Sequence, residues 1–494
     1  MLLIGVCSGV LYLVVYLLQR ALFRNGLLFS FAGATAQGDP ASWLRLLGQC
    51  AAYYGATIAL FALYICLLTL CRQGKLRDRR ACAVALLFPA LFNLGLLLDQ
   101  PYLSIDLFSY IAYGSLGAAP GGNPYIEPVS AVGYSPLGAH LLTYGWHPLH
   151  VVPLVPYGPL WVQLETAILR ITSDVPTDIL LLKGLIVAAS LGSAALIWAI
   201  LGRVRPVDQL LGTLVYLWNP VIIVEFAGEG HNDALVILCV LTALFLTVAA
   251  RPALAIVMLL LAVLTKYVPL ILLPAQVVYF WSTWRTRPDR ARLTPLLLLG
   301  LLAGFMLSVV LYRPFWVGMA TFQGVREQDA TRIGSASTAG VVYWVIAHSP
   351  LRAVAETLTS ALLDGIFALY VLIISWRVRN IEALLRACAG IAVAYVLLVS
   401  PAYWPWYATL PLALFALAPH GPFLRIALVL SFGARLAAPL DVMDNRGFIP
   451  FRLSHAITAA VAVAPPLVVC LLLAIKELRR QGGLWTAARG ALRL

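Results

Sequence analysis

Apolar runs of about twenty residues, the length that crosses a hydrocarbon core, recur along almost the whole of this chain. No water reaches a bare peptide group inside a bilayer, so such runs must close their own hydrogen bonds as helices. Of the 494 residues, 62% are hydrophobic and 11% are charged, against roughly 25% charged in soluble domains. The chain reads as an all-α polytopic membrane protein with about 13–14 transmembrane helices. Spans fall near 2–23, 48–70, 81–98, 179–201, 208–225, 232–250, 252–265, 267–283, 293–312, 354–376, 381–399, 404–418, 423–440 and 455–475. Residues 1–475 make one transmembrane domain, and 476–494 a basic cytoplasmic tail.

Charge sets the orientation. The formal net charge is +13, yet the basic residues sit in short loops between apolar runs, where they fix topology and do not mark a nucleic-acid surface. Arg72, Lys75, Arg77, Arg79 and Arg80 form the densest such loop. With that loop cytoplasmic, Arg203 and Arg205, Arg285 to Arg292, Arg377 and Arg379, and the tail fall on the same side, with both termini cytoplasmic. The protein is then a multi-pass protein of the inner (cytoplasmic) membrane. The first apolar run, 2–18, lacks a charged leader, and Ala34-Thr35-Ala36 only faintly resembles a cleavage site, so it is taken as an uncleaved span. Eight Cys without a CxxC pair support neither a disulfide framework nor a zinc ribbon.

The same parity gathers the polar chemistry on the outer side. Residues 99–177 form a large extracytoplasmic loop directly after a span, and 313–353 a second. Residues 157–171 read as an interfacial amphipathic helix, with Leu160, Leu164, Ile168 and Ile171 on one face and Gln163, Glu165 and Arg170 elsewhere. Asp106 opens the first loop. It suits the N-cap of a short helix over 107–117, and equally a general base at the membrane surface; the two roles are compatible. Asn123-Pro124-Tyr125 is by default a turn, and Tyr157-Gly158-Pro159 a helix start. Glu225, Glu229, His231 and Asp233 bring acids and an imidazole to a membrane boundary, where ionisable groups are costly and usually functional. Asn232 or Asp233 would also cap the span that follows. These donors admit a divalent cation, but their spacing matches no metal motif, and no metal ligand or other cofactor is assigned. Lys266 lies between two apolar runs at the outer face, either snorkelling or gripping a lipid-linked phosphate, a task Arg313, Arg326 and Arg332 are able to share. Tyr403-Trp404-Pro405-Trp406-Tyr407 reads as an interfacial aromatic belt, with sugar stacking as a second use.

The order Ser104-Ile105-Asp106 through Tyr110, Asn123-Pro124-Tyr125, Tyr157-Gly158-Pro159-Leu160 and Glu229-Gly230-His231-Asn232-Asp233 resembles the GT-C superfamily of membrane glycosyltransferases. Within it, the likeness is to the polyprenol-phosphate-mannose-dependent α-1,6-mannosyltransferases, over residues 90–275. The resemblance implies Asp106 as catalytic base, a polyprenyl-phosphate sugar as donor and a glycan or glycolipid hydroxyl as acceptor. Lys266, Arg313, Arg326 and Arg332 would then serve the donor phosphate. Tyr110, Asn123, Tyr125, Tyr157, Glu229, His231, Asn232, Asp233, Tyr403 and Trp404 would contact substrate. One departure is that Asp106 has no acidic neighbour, the nearest being Asp99; that favours a metal-independent base. The alternative class is a secondary transporter or lipid flippase, which predicts related halves and midplane polar groups; no internal repeat supports it.

Overall fold

A computed structural model describes residues 1–23, 40–76, 78–172, 174–286, 290–330, 336–400, 402–437, 440 and 451–491. Among the described residues eight helices are long and apolar enough to cross a membrane, and one bent pair adds a ninth. Shorter apolar helices complete the bundle, which carries no regular strand among those residues.

Helices α1 (Leu2–Phe23), α2 (Pro40–Arg72) and α3 (Arg79–Leu97) pack together at the N-terminal side. Asp78 starts α3 by accepting the Arg80 and Ala81 N–H groups at 3.1 Å. The Ala34 triplet lies outside the described residues.

The first large loop is mostly helical. It holds α4 (Asp106–Ala118), α5 (Ser130–Gly133), α6 (Pro136–Thr143) and α7 (Pro159–Ile171). Small residues let α4 and α7 meet closely: a Cβ at Gly114 would fall 3.0 Å from the Glu165 backbone. The α7 helix is not among the membrane-crossing helices, as its broken apolar face predicts. Its burial is a correction, however. Ile171 is exposed and Glu165 wholly buried, because α7 turns Trp161, Val162, Glu165 and Thr166 onto α4.

The chain re-enters through α8 (Val175–Val204), and then α9 (Gln209–Leu217) and α10 (Pro220–Ile223) form a span bent by 51°. Asn219-Pro220 makes the bend, since proline disfavours helix at the residue before it, and Asn219 Oδ1 accepts the Val221 N–H at 3.0 Å. A π-helical turn, Val224–Gly228, ends this span. Helices α11 (Asp233–Val248) and α12 (Pro252–Thr265) follow as an antiparallel pair, then α13 (Leu273–Thr286). The short lengths of α12 and α13 agree with the short runs at 252–265 and 267–283. The second outer loop, after α14 (Arg290–Tyr312), contains α15 (Gln323–Ala330) and the apolar α16 (Thr338–Ala347). The rest of the bundle is α17 (Ala355–Trp376), α18 (Ile381–Ala394), α19 (Thr409–Phe415), α20 (Gly421–Leu436) and a final helical run to Ala491.

Two ends of the bundle differ. Arg72, Arg79, Asp208 and His420 surround one cavity, so the basic loops at 72–80 and 203–208 share an end with the turn at 419–421. The other ends of α3 and α8 meet where Lys183 donates to Leu96 O and Asp99 O. The polar groups singled out in the sequence lie at this second end. Side-chain hydrogen bonds brace the interior between the two, including Tyr64 to Val215 O (2.6 Å) and Trp218 to Ala85 O (2.5 Å). Each contributes about 0.6 kcal/mol in a membrane interior.

Candidate active site

Asp106 is the first residue of α4, not its cap. Ile105 occupies the cap position, and Ser104 Oγ accepts the Asp106 N–H at 3.1 Å. This corrects the cap reading. The carboxylate nevertheless sits at the positive end of the helix dipole, which favours its ionised form, and it remains partly exposed.

The segment leading to Asp106 is held from below by Glu229. Its Oε2 accepts the N–H groups of Tyr102 (3.2 Å), Leu103 (2.7 Å) and Ser104 (3.1 Å). Glu229 is 1% exposed, so its carboxylate serves as an anchor for the loop and does not open onto a substrate. Gly230 makes the next step possible. Its φ is +76°, and a Cβ there would meet Leu107 at 2.9 Å; this is left-handed backbone that glycine adopts at little cost.

That turn delivers His231 to Asp106. His231 Nδ1 lies 3.5 Å from Asp106 Oδ2, and Nε2 lies 3.3 Å from Glu225 Oε2. Neither nitrogen makes a well-aligned hydrogen bond, so these are close charge contacts. Burial lowers the basicity of the imidazole, but the two carboxylates outweigh it and raise its pKa to about 9. Glu225 in turn accepts from Arg435 at 2.7 Å, both side chains being 2% exposed, and Arg435 also donates to the Tyr53 hydroxyl. Trp406 stacks on the His231 ring at 4.0 Å and 19°, and Trp404 stacks on Trp406 at 5.3 Å.

Lys266 follows the end of α12. Its ammonium grips both oxygens of Asp233, at 3.0 and 2.9 Å, and lies 5.5 Å from the centre of the Tyr407 ring. Burial opposes the charge on Lys266, but Asp233 and then Tyr407 more than compensate, and Asp106 is near enough to contribute. Gly158 seats the Tyr157-Gly158-Pro159 turn against this region. Its N–H donates to Thr265 O at 3.0 Å, and a Cβ would fall 2.1 Å from Leu264 O.

Lys266 and Asp233 line a cavity of about 380 Å³, within the roughly 300–1,000 Å³ of small-molecule sites. Tyr157, Gln328, Ser400 and Tyr407 add polar groups to the wall, while Leu270, Ile271, Val396 and Leu410 make it apolar elsewhere.

The other sequence candidates disperse. Tyr110, Tyr125 and Tyr157 are buried: Tyr110 packs edge-on against Tyr157 at 5.4 Å, and the Tyr125 hydroxyl donates to Tyr157 O at 3.0 Å. Asn123 ties the two outer loops together by donating to Phe315 O at 3.0 Å. Asn232 is fully buried, and neither side-chain amide atom has a hydrogen-bond partner. Tyr403 is buried, whereas Trp404 is half-buried. Arg313 and Arg326 are exposed and do not line the cavity. Arg332 lies outside the described residues. No group of three or more His, Cys, Asp or Glu side chains among the described residues converges as a metal-ligand set. Arg435 and Trp406 are site residues that the sequence candidates omitted. An arginine deep inside the apolar run 423–440 was the available signal, since a charge at that depth is costly and usually functional.

Comparison with known proteins gives this geometry a family. The chain is 26% identical over 422 residues to alpha-(1->6)-mannopyranosyltransferase A of Mycobacterium tuberculosis, covering 78% of this chain and 76% of that protein. A second alpha-(1->6)-mannopyranosyltransferase of that organism is 30% identical over 155 residues, 31% of this chain and 25% of the relative. Residues 4–282 match the model of the alpha-(1->6)-mannopyranosyltransferase family, N-terminal domain, a stretch that holds Asp106, His231, Asp233 and Lys266, and the chain is thus a membrane mannosyltransferase of that GT-C family.

Proposed function

We propose that this enzyme transfers mannose from a polyprenyl-phosphate donor to a glycan or glycolipid hydroxyl, with inversion, at the extracytoplasmic face. The observation that carries the reading is the mainly apolar cavity that has Lys266 and Asp233 as the charged part of its wall, beside the turn that holds Asp106. A lipid-linked sugar phosphate has the same division. Its phosphate suits the ammonium, and its isoprenoid chain suits Leu270, Ile271, Val396 and Leu410. The sidedness rests on charge: the opposite end of the bundle bears the basic loops that stay cytoplasmic.

In the proposed step, Asp106 takes the acceptor proton as the hydroxyl oxygen bonds to the anomeric carbon. The bond from that carbon to the phosphate oxygen breaks on the opposite face, and its electron pair leaves with the phosphate. The phosphate charge grows from one negative unit toward two. A cation at that oxygen therefore binds the transition state better than the ground state. Asp106 and Glu225 hold opposite nitrogens of His231 and do not converge on one point, so the base is written without a metal. Tyr157 lines the cavity along which the sugar ring would pass.

The test is Asp106→Asn protein, purified and given polyprenyl-phosphate-mannose with a mannoside acceptor. It should elute and melt as the parent does and transfer no mannose above background. Parental turnover would remove Asp106 from the base role.

A further inference from the structure

His231 takes no part in the displacement as written, yet its surroundings are the most specific in the site. It is fully buried between two carboxylates, and its ring plane is pinned by Trp406. We propose that His231 is a positioning residue: it holds Asp106 through Oδ2 by charge and keeps that carboxylate ionised beside the membrane for its part as the base. The inference rests on the assignment of Asp106 as the base.

The carboxylates at the ring favour this arrangement, and the nearby cations are each held by an acid. From α4, Asp106 faces Nδ1. From the π-helical turn, Glu225 faces Nε2. From α20, Arg435 engages the other oxygen of Glu225 and ties that carboxylate to the bundle. Glu229, next along the same turn, is occupied by backbone N–H groups. Lys266 and Asp233 pair with each other. With an acid at each nitrogen, the imidazole bears both protons and presents one N–H to each carboxylate; its raised pKa agrees. Trp406 lies flat against the ring, a contact that stabilises a cation and stops the ring from rotating away from the line between the acids. Contacts of 3.3 and 3.5 Å are of the kind that tighten when substrate closes over them.

The reaction balances with this role. The acceptor proton moves to the Asp106 carboxylate as the new C–O bond forms and the bond from the anomeric carbon to the phosphate oxygen breaks. The resulting neutral acid loses its attraction to the imidazolium, so release of that proton to water is favoured and the carboxylate is restored. His231 keeps both of its protons throughout.

The experiment uses the full-length enzyme and compares kcat/KM against pH for the parent, His231→Asn and Asp106→Asn. Asparagine keeps a donor near Asp106 and removes the charge. An opposite charge at this distance moves a carboxylate by about 1–3 pH units. The acidic limb of the His231→Asn profile should therefore shift up by at least about one unit, with activity recovering at high pH and an unchanged KM for donor. A uniform drop at every pH, or an unmoved limb, overturns the inference while an inactive Asp106→Asn leaves the base reading standing. An active Asp106→Asn overturns both. Should His231→Asn fail to fold, histidine-labelled NMR on the parent decides. One of the seven histidines should remain protonated at pH 8 and be the resonance most displaced by Asp106→Asn; titration of all seven below pH 7 overturns the proposal.

Discussion

The Lys266–Asp233 pair makes a prediction whose two halves have opposite signs. Suppose the donor phosphate sits about 4 Å from the ammonium at an effective dielectric near 20. One unit of new negative charge then gains about 4 kcal/mol from Lys266. Asp233, a further 3 Å or so behind the ammonium, repels the same charge by about 2.4 kcal/mol at about 7 Å. The net, about 2 kcal/mol, corresponds to about a 20-fold change in rate. Lys266→Gln removes the attraction while the Asp233 repulsion stays, so it should lower kcat/KM about 1,000-fold, with kcat falling alongside it, because the charge appears only in the transition state; the double variant should lose only the net, about 20-fold. Asp233→Asn removes the repulsion and should cause no loss. Both variants are assayed with radiolabelled polyprenyl-phosphate-mannose at saturating and limiting concentrations. The effect should persist in added salt, since these side chains are only 15% and 11% exposed and buried charges are weakly screened. Equal losses in the two variants would show that the pair merely holds the fold, and unchanged activity in both would remove the phosphate from this cavity.

Other outcomes follow from single contacts. Arg435→Leu leaves Glu225 buried without its guanidinium partner and should cost about 3–5 kcal/mol of stability, while Arg435→Leu combined with Glu225→Leu should recover much of it in thermal melts. Gly230→Ala places a Cβ on left-handed backbone 2.9 Å from Leu107; transfer should fall more than the melting temperature does, because the strained turn carries His231. Glu165 is buried on α7 and its carboxyl is pushed well above the usual range by desolvation. Its folded-state pKa is raised, so its contribution to stability is complete below the ordinary glutamate value and is lost as pH rises toward the folded one. Melts of Glu165→Gln should therefore lack a part of the alkaline decline seen in the parent; parallel curves would refute this.

The sequence carried the fold further than the site, and the reason is the solvent. A bilayer imposes one length and one hydrogen-bonding rule on every span, so apolar runs and basic loops give helix positions with little knowledge of packing. Even the weak runs at 252–265 and 267–283 emerge as α12 and α13. What such rules miss is how a polar residue inside a run is used. Arg435 and Lys183 look alike there, each a cation deep in an apolar segment. Only contacts between elements distant in sequence separate them: Lys183 braces the backbone at Leu96 and Asp99, and Arg435 reaches Glu225. Glu165 shows the converse error. Helical periodicity assigns it to a polar face, yet Gly114 and Gly117 open α4 to that face and bury it.

Proximity in the chain misled in a related way at the outer loops. Arg313, Arg326 and Arg332 seemed suited to a phosphate because they flank one loop, and charge counting alone gives no reason to prefer Lys266. The structure supplies the reason. A phosphate cation must be held at a fixed point before the charge develops, because an ammonium that must first be drawn in from water offsets its own gain by reorganising. Lys266 is so held: Asp233 grips it from behind, and Tyr407 lies beside it. Arg313 and Arg326 are solvated and unplaced. If that is the distinction that matters, Arg313→Gln and Arg326→Gln should each change kcat/KM less than about threefold, a small effect typical of exposed charges. A loss in either as large as that of Lys266→Gln would mean that the outer loop closes over the donor and brings its own cation to the phosphate.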